Sequence, residues 1–139
     1  MTYLKNLLVS LEDIANKKQE HFICFSLDSN HEVIARRTVF IGTLTSVLVH
    51  PREIFADPLA ERAAAIVVAH NHPSRSVEPS KQDIATTQQL VAAGQILGIP
   101  LFDHVIVGNK GHFSFRKQGL LGYGDELIRG EGVDARTTN

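Results

Sequence analysis

Ala64-Ala65-Ile66-Val67-Val68-Ala69 runs straight into His70-Asn71-His72-Pro73. An unbroken apolar run of this length, with β-branched side chains at its centre, predicts a central strand covered on both faces. Because the run ends on histidines and a proline, His70 is expected to begin a loop at the strand end. Further on, Ser80-Lys81-Gln82-Asp83 has the S-x-x-acid form of a capping box, which predicts a helix from Ser80 to Leu97. Ile84, Leu90, Val91 and Ile96 would form its buried side, and Gly98 would stop it.

Towards the N-terminus, Leu4, Leu7, Leu8, Leu11, Ile14 and Ala15 recur at three- and four-residue steps and predict an amphipathic helix. Glu20 to Leu27 is aromatic and β-prone, and Asp28-Ser29-Asn30 turns it into a second strand near Glu32 to Val39. Gly42 to Ser46 interrupts the pattern, and Val47-Leu48-Val49 reads as a short buried strand. Pro51 opens a helix reaching about Ala63, with Pro58 expected to kink it. Leu101 to Val107 and His112 to Arg116 flank a tight Asn109-Lys110-Gly111 hairpin. Beyond Leu121, glycines and polar residues predict a loose tail, so the organisation is one domain over residues 1–121 and a flexible tail over 122–139.

With 139 residues, 43% hydrophobic and 21% charged, the chain falls in the ordinary globular class and can bury a core without disulfides. A net charge of -1 provides no basic face for nucleic acid, so DNA or RNA binding is not supported. The apolar runs are too short for a membrane span, and Lys5, Glu12 and Asp13 break the stretch that a signal peptide would need. Cys24 has no partner for an internal disulfide, and a cytoplasmic location is expected. Oligomeric state is not readable from the sequence.

His70 and His72 are two residues apart, so in an extended segment both imidazoles can turn to one side and hold a divalent metal at about 2.0 Å. Asp83 supplies a third, anionic ligand. Two imidazoles and a carboxylate leave a fourth tetrahedral position for water, the open coordination of a catalytic zinc, and such water ionises near neutral pH. Asp83 also has a purely structural reading as the acidic member of the capping box, and the two readings are compatible because a capped first turn holds its residue rigidly. A lone histidine is more often surface or satisfied core than a ligand.

His70-Asn71-His72-Pro73 followed by Ser80-Lys81-Gln82-Asp83 resembles the H-x-H-P-x6-S-x-x-D motif of the JAMM/MPN zinc metalloproteases. The RadC-like branch is the closer resemblance. It rests also on Lys18-Gln19-Glu20-His21-Phe22, Gly42-Thr43-Leu44, His50-Pro51-Arg52-Glu53 and Asp103-His104-Val105-Ile106-Val107-Gly108, and it covers about residues 1 to 121. The branch usually has glycine where this chain has Arg75, and the helix-hairpin-helix region of longer RadC proteins is not found here. The resemblance implies an α/β sandwich of JAMM/MPN (cytidine-deaminase-like) type, a curved mixed β-sheet flanked by helices. It implies one zinc ion held by His70, His72 and Asp83, with Glu20 as general acid/base activating the metal-bound water and Ser80 as the hydroxyl stabilising the oxyanion.

Asp103 and His104 are read either as a carboxylate-imidazole pair that orients a metal ligand or as a structural hydrogen bond at a strand end. Cys24 is expected to be a small buried hydrophobe. The expected activity is zinc-dependent hydrolysis of a peptide or isopeptide bond in a peptide or protein substrate. A non-catalytic metal-binding interaction module, or a DNA-repair-associated factor of RadC type, is the alternative.

Overall fold

The computed structural model describes residues 2–42, 49–73 and 76–122. The expectations for Val47-Leu48, Arg75 and residues 123–139 of the tail fall outside the described residues. Helix α1 (Thr2–Ser10) continues through a 3-10 turn at Leu11–Asp13. Strands β1 (Glu20–Leu27) and β2 (Val33–Gly42) form the expected hairpin, and α2 spans Pro51–Ala60. Strand β3 (Ala65–Asn71), helix α3 (Lys81–Leu97) and strands β4 (Leu101–Gly108) and β5 (Gly111–Ser114) complete the order.

The five-stranded sheet has the order β2-β1-β3-β4-β5. Only β3 and β4 are parallel and the other pairs are antiparallel, so the sheet is mixed, as expected for a JAB/MPN domain. β3 lies at its centre and every residue of it is buried. Alternation then assigns the side chains to two layers. Cys24, Ile66, Val68 and Ile106 pack with Ile54, Phe55, Leu90 and Phe115, on the side of α2 and α3. Ile23, Phe25, Val67, Ala69, Val105 and Val107 pack with Leu4, Leu7, Leu11 and Ile14, on the side of α1. Each such aliphatic side chain contributes about 1.5–3 kcal/mol by leaving water.

Four local expectations are corrected. His70 and Asn71 belong to β3 and not to a loop, because the ladder to β1 runs to Phe22↔His70 and the ladder to β4 to Asn71↔Val107. Helix α2 stops at Ala60, where Arg62 takes a left-handed φ of 57°. Pro58 lies inside α2 and cannot donate to the Ile54 carbonyl; the Cys24 thiol points at that carbonyl from 3.8 Å instead. On α3, Ile84 and Ile96 are exposed (38% and 86%), while Asp83, Thr86, Thr87, Leu90, Val91 and Gly94 are buried. The first half of that buried stripe is polar because it faces a cluster of histidines. β5 ends at Ser114, short of Arg116, because the Ser114 hydroxyl and the Arg116 amide both turn onto Asp103.

Candidate metal centre

The parallel unit β3-α3-β4 places the C-terminal end of β3 beside the N-terminus of α3, the position where open α/β sheets gather ligands. His70 leaves the sheet on the α3 face, and His72 follows after the strand, tied by its amide to the Val107 carbonyl at 3.1 Å. Ser80 caps α3 with extended φ and ψ, its hydroxyl accepting from the Asp83 amide at 3.0 Å. Asp83 Oδ2 accepts from the Ser80 amide at 2.9 Å, so the capping box forms in full. The cap aims the carboxylate at the histidines. Asp83 Oδ1 lies 3.2 Å from His70 Nε2 and Oδ2 lies 2.9 Å from His72 Nε2. Ligand atoms of all three residues fall within 4.8 Å of one another.

Donor inventory decides which nitrogens are available. The Thr87 hydroxyl donates to the Asp83 carbonyl at 2.8 Å, and its oxygen sits 2.6 Å from His104 Nδ1. A hydroxyl has one proton, so His104 must be the donor in the second contact. Burial, and then the charge of His70, push His104 well below the ordinary imidazole pKa, so it is neutral and its Nε2 is an acceptor. The His70 Nδ1 proton therefore points at His104 Nε2, 2.9 Å away. His70 Nε2 is left as the nitrogen facing Asp83, and among the described residues it is a buried polar atom without a hydrogen-bond partner despite its nearness to Asp83. His72 repeats the arrangement more simply, since its Nδ1 donates to the Ser76 carbonyl at 2.8 Å and leaves Nε2 towards Asp83. Two imidazole nitrogens thus converge on one carboxylate, a donor set that could hold a divalent cation.

Electrostatics agree. Burial works against a charged His72, but its contacts with Asp83 and the Ser76 carbonyl outweigh burial and hold its pKa above the ordinary value. Burial also opposes ionisation of Asp83, and the contacts with His70 and His72 overcome it, so this carboxyl stays ionised far below the usual range. Glu20, at the start of β1, brings a carboxylate oxygen to 3.7 Å from His70 Nε2. Burial raises its pKa, the charge of His70 offsets part of that rise, and Asp83 adds to it.

Of the residues expected at the site, His70, His72, Asp83 and Glu20 are brought together, and Ser80 joins through the cap. Of the two readings of Asp103 and His104, the structural hydrogen bond holds for Asp103 and the carboxylate-imidazole pair does not form. Neighbours in a strand face opposite sides, so His104 meets His70 while Asp103 bonds Tyr3 and Ser114 on the other face. Sequence reasoning missed Thr87 and Asn71. Thr87 stands four residues after Asp83 on the same helix face, and Asn71 is the polar residue between the histidines; both signals were readable.

The profile of the RadC-like JAB domain matches residues 3–120. The chain belongs to this family. A UPF0758 protein of Methanospirillum hungatei is 50% identical over 109 residues, covering 78% of this chain and 48% of that protein. One from Bacillus licheniformis is 47% identical over 109 residues (78% and 49%), and UPF0758 protein YsxA of Bacillus subtilis is 43% identical over 111 residues (80% and 48%). This RadC-like JAB chain spans about half the length of the curated relatives it matches. Among its described residues, no helix is long and apolar enough to cross a membrane.

Proposed function

We propose that this RadC-like JAB domain is a zinc-dependent hydrolase of amide bonds in peptides or proteins. The supporting observation is the buried His70 Nε2, without a hydrogen-bond partner among the described residues, facing Asp83 with the Glu20 carboxylate 3.7 Å away. His70, His72 and Asp83 would hold the ion, whose chemistry is to polarise a water and the substrate carbonyl. Zinc suits two imidazoles and a carboxylate with a position left open.

Glu20 takes the proton of the attacking water on a carboxylate oxygen as the water oxygen bonds the acyl carbon, then delivers it to the leaving nitrogen as the C–N bond breaks. The products are a carboxylic acid and an amine, and transfer of the acid's remaining proton leaves them as carboxylate and ammonium. A carboxyl raised by burial suits a group that must both accept and return a proton. Ser80 uses its oxygen, not its proton, in the bond from the Asp83 amide, so the proton can serve the negative charge that develops on the carbonyl oxygen. A half-buried carboxylate beside the ligands distinguishes this reading from a non-catalytic metal-binding module, which needs none there.

The test is a peptide library profiled by mass spectrometry with zinc-loaded wild type and the Glu20→Gln variant. Cleavage by wild type alone supports the reading. Equal cleavage by both, or cleavage that survives removal of the metal, would sink it.

A further inference from the structure

Asn71 stands between the two histidines in sequence, on the α1 face of β3. It is fully buried on a strand face otherwise formed by Ala65, Val67 and Ala69, where an amide side chain is costly unless its hydrogen bonds are made. They are all made, and all to one short segment. Oδ1 accepts from the His21 amide at 2.6 Å, and Nδ2 donates to the carbonyls of Gln19 at 3.0 Å and Lys17 at 3.2 Å. These partners flank Glu20 on both sides.

The need for such a clamp follows from the register. Pairing of β1 with β3 ends at Phe22↔His70, so neither Glu20 nor His21 has a ladder partner on β3. The Asn71 side chain replaces the missing rungs, gripping the backbone before and after Glu20 while the Glu20 carboxylate reaches 3.7 Å from His70 Nε2. A single tripeptide, His70-Asn71-His72, therefore sets both proposed ligands on one face and the backbone of the proposed base from the other.

We propose that Asn71 is a positioning residue that holds the Glu20 carboxylate at the open side of the metal group. This rests on Glu20 being the acid/base of the proposed reaction. Asn71 touches neither substrate nor metal; it acts through the backbone of residues 17 to 21.

Cobalt(II) serves as the probe, since its visible bands respond to the state of the open coordination position. Wild type, Glu20→Gln, Asn71→Ala, Asn71→Thr and the Glu20→Gln/Asn71→Ala pair are loaded and titrated with pH. A nearby carboxylate favours the more protonated state, so Glu20→Gln should lower the spectral midpoint by about one pH unit, the effect of one charge a few ångström away. Asn71→Ala should lower it by at least about a third as much, because a released carboxylate samples more distant positions. Asn71→Thr, which keeps a hydroxyl, should fall between Asn71→Ala and wild type. On top of Glu20→Gln, Asn71→Ala should add nothing.

A wild-type midpoint in Asn71→Ala beside a lowered one in Glu20→Gln overturns the positioning role and leaves the reading of Glu20 standing. Additive shifts in the double variant overturn it too, since Asn71 would then act by another route. A wild-type midpoint in Glu20→Gln removes the reading of Glu20 itself. Should Asn71→Ala fail to load cobalt, Asn71→Thr carries the same comparison.

Discussion

Asp83 and Asp103 are both buried, on opposite sides of the sheet, and they differ in what surrounds them. Asp103 is met by protein donors alone: the Tyr3 hydroxyl at 2.9 Å, the Ser114 hydroxyl at 2.6 Å, and the amides of His104 and Arg116 at 2.7 and 2.9 Å. Those bonds pin α1 and the turn after β5 to β4, and the carboxylate needs nothing further. Asp83 accepts from the Ser80 amide and otherwise faces two imidazole nitrogens whose ring partners are already committed elsewhere. Its surroundings are completed only by protons or a cation. Burial alone therefore does not separate Asp103 from Asp83, the proposed metal ligand, whereas the donor inventory around each does.

The same substitution at the two positions should break the comparison most sharply. Asp83→Asn should fall from about one zinc per chain to almost none, while Asp103→Asn stays loaded. Elemental analysis of desalted protein reads this directly, and equal loss in both would remove the distinction. Glu20→Gln should keep zinc and fold but lose about 10²-fold or more of any verified hydrolysis. Loss of zinc along with activity would instead make Glu20 a ligand.

Stability should show the reverse order. Asp103→Asn turns one acceptor into a donor among hydroxyls and amides and should cost about 2–4 kcal/mol in urea unfolding. Metal-free Asp83→Asn should lie within about 1 kcal/mol of metal-free wild type at pH 8, because its amide can donate to a bare imidazole nitrogen. Thr87→Val should weaken zinc affinity by about tenfold with little change in fold, since it releases His104 and with it the tautomer of His70. An unchanged affinity in a competition titration would show that the chain from Thr87 to His70 is ornamental.

Acidity gives the smallest effect. In the metal-free protein, His72 is held above its ordinary 6.5, so its pairing with Asp83 is fully present below 6.5 and is lost as pH rises through the folded value. Asp83 is held below its ordinary 3.8, so its contribution is present above 3.8 and lost as pH falls through the lower folded value. Metal-free protein thus draws on the pair between about pH 4 and 6.5, whereas zinc needs His72 deprotonated and binds better above that window. The gap in melting temperature between zinc-loaded and chelated samples should widen by about 4–8 °C from pH 6 to pH 8.

Read alone, the sequence determined what is local. The apolar run 64–69 specifies a central strand because it can satisfy both faces of a sheet, and Ser80 to Asp83 specifies a helix start because its side chains and amides pair reciprocally. With the strand end and the capped turn placed, the His70, His72 and Asp83 group followed from spacing. What only the tertiary structure decided depends on which elements become neighbours. Glu20 is fifty residues from His70 and meets it because β1 lies antiparallel beside β3. His104 reaches His70 because β4 joins β3 in parallel through α3, and alternation turns Asp103, one residue earlier, to the opposite layer. Ile84 and Ile96 misled for the same reason. Helical spacing says which residues share a face but not which face is covered, and here the covered face opens with Asp83 and Thr87 because it points at the histidines.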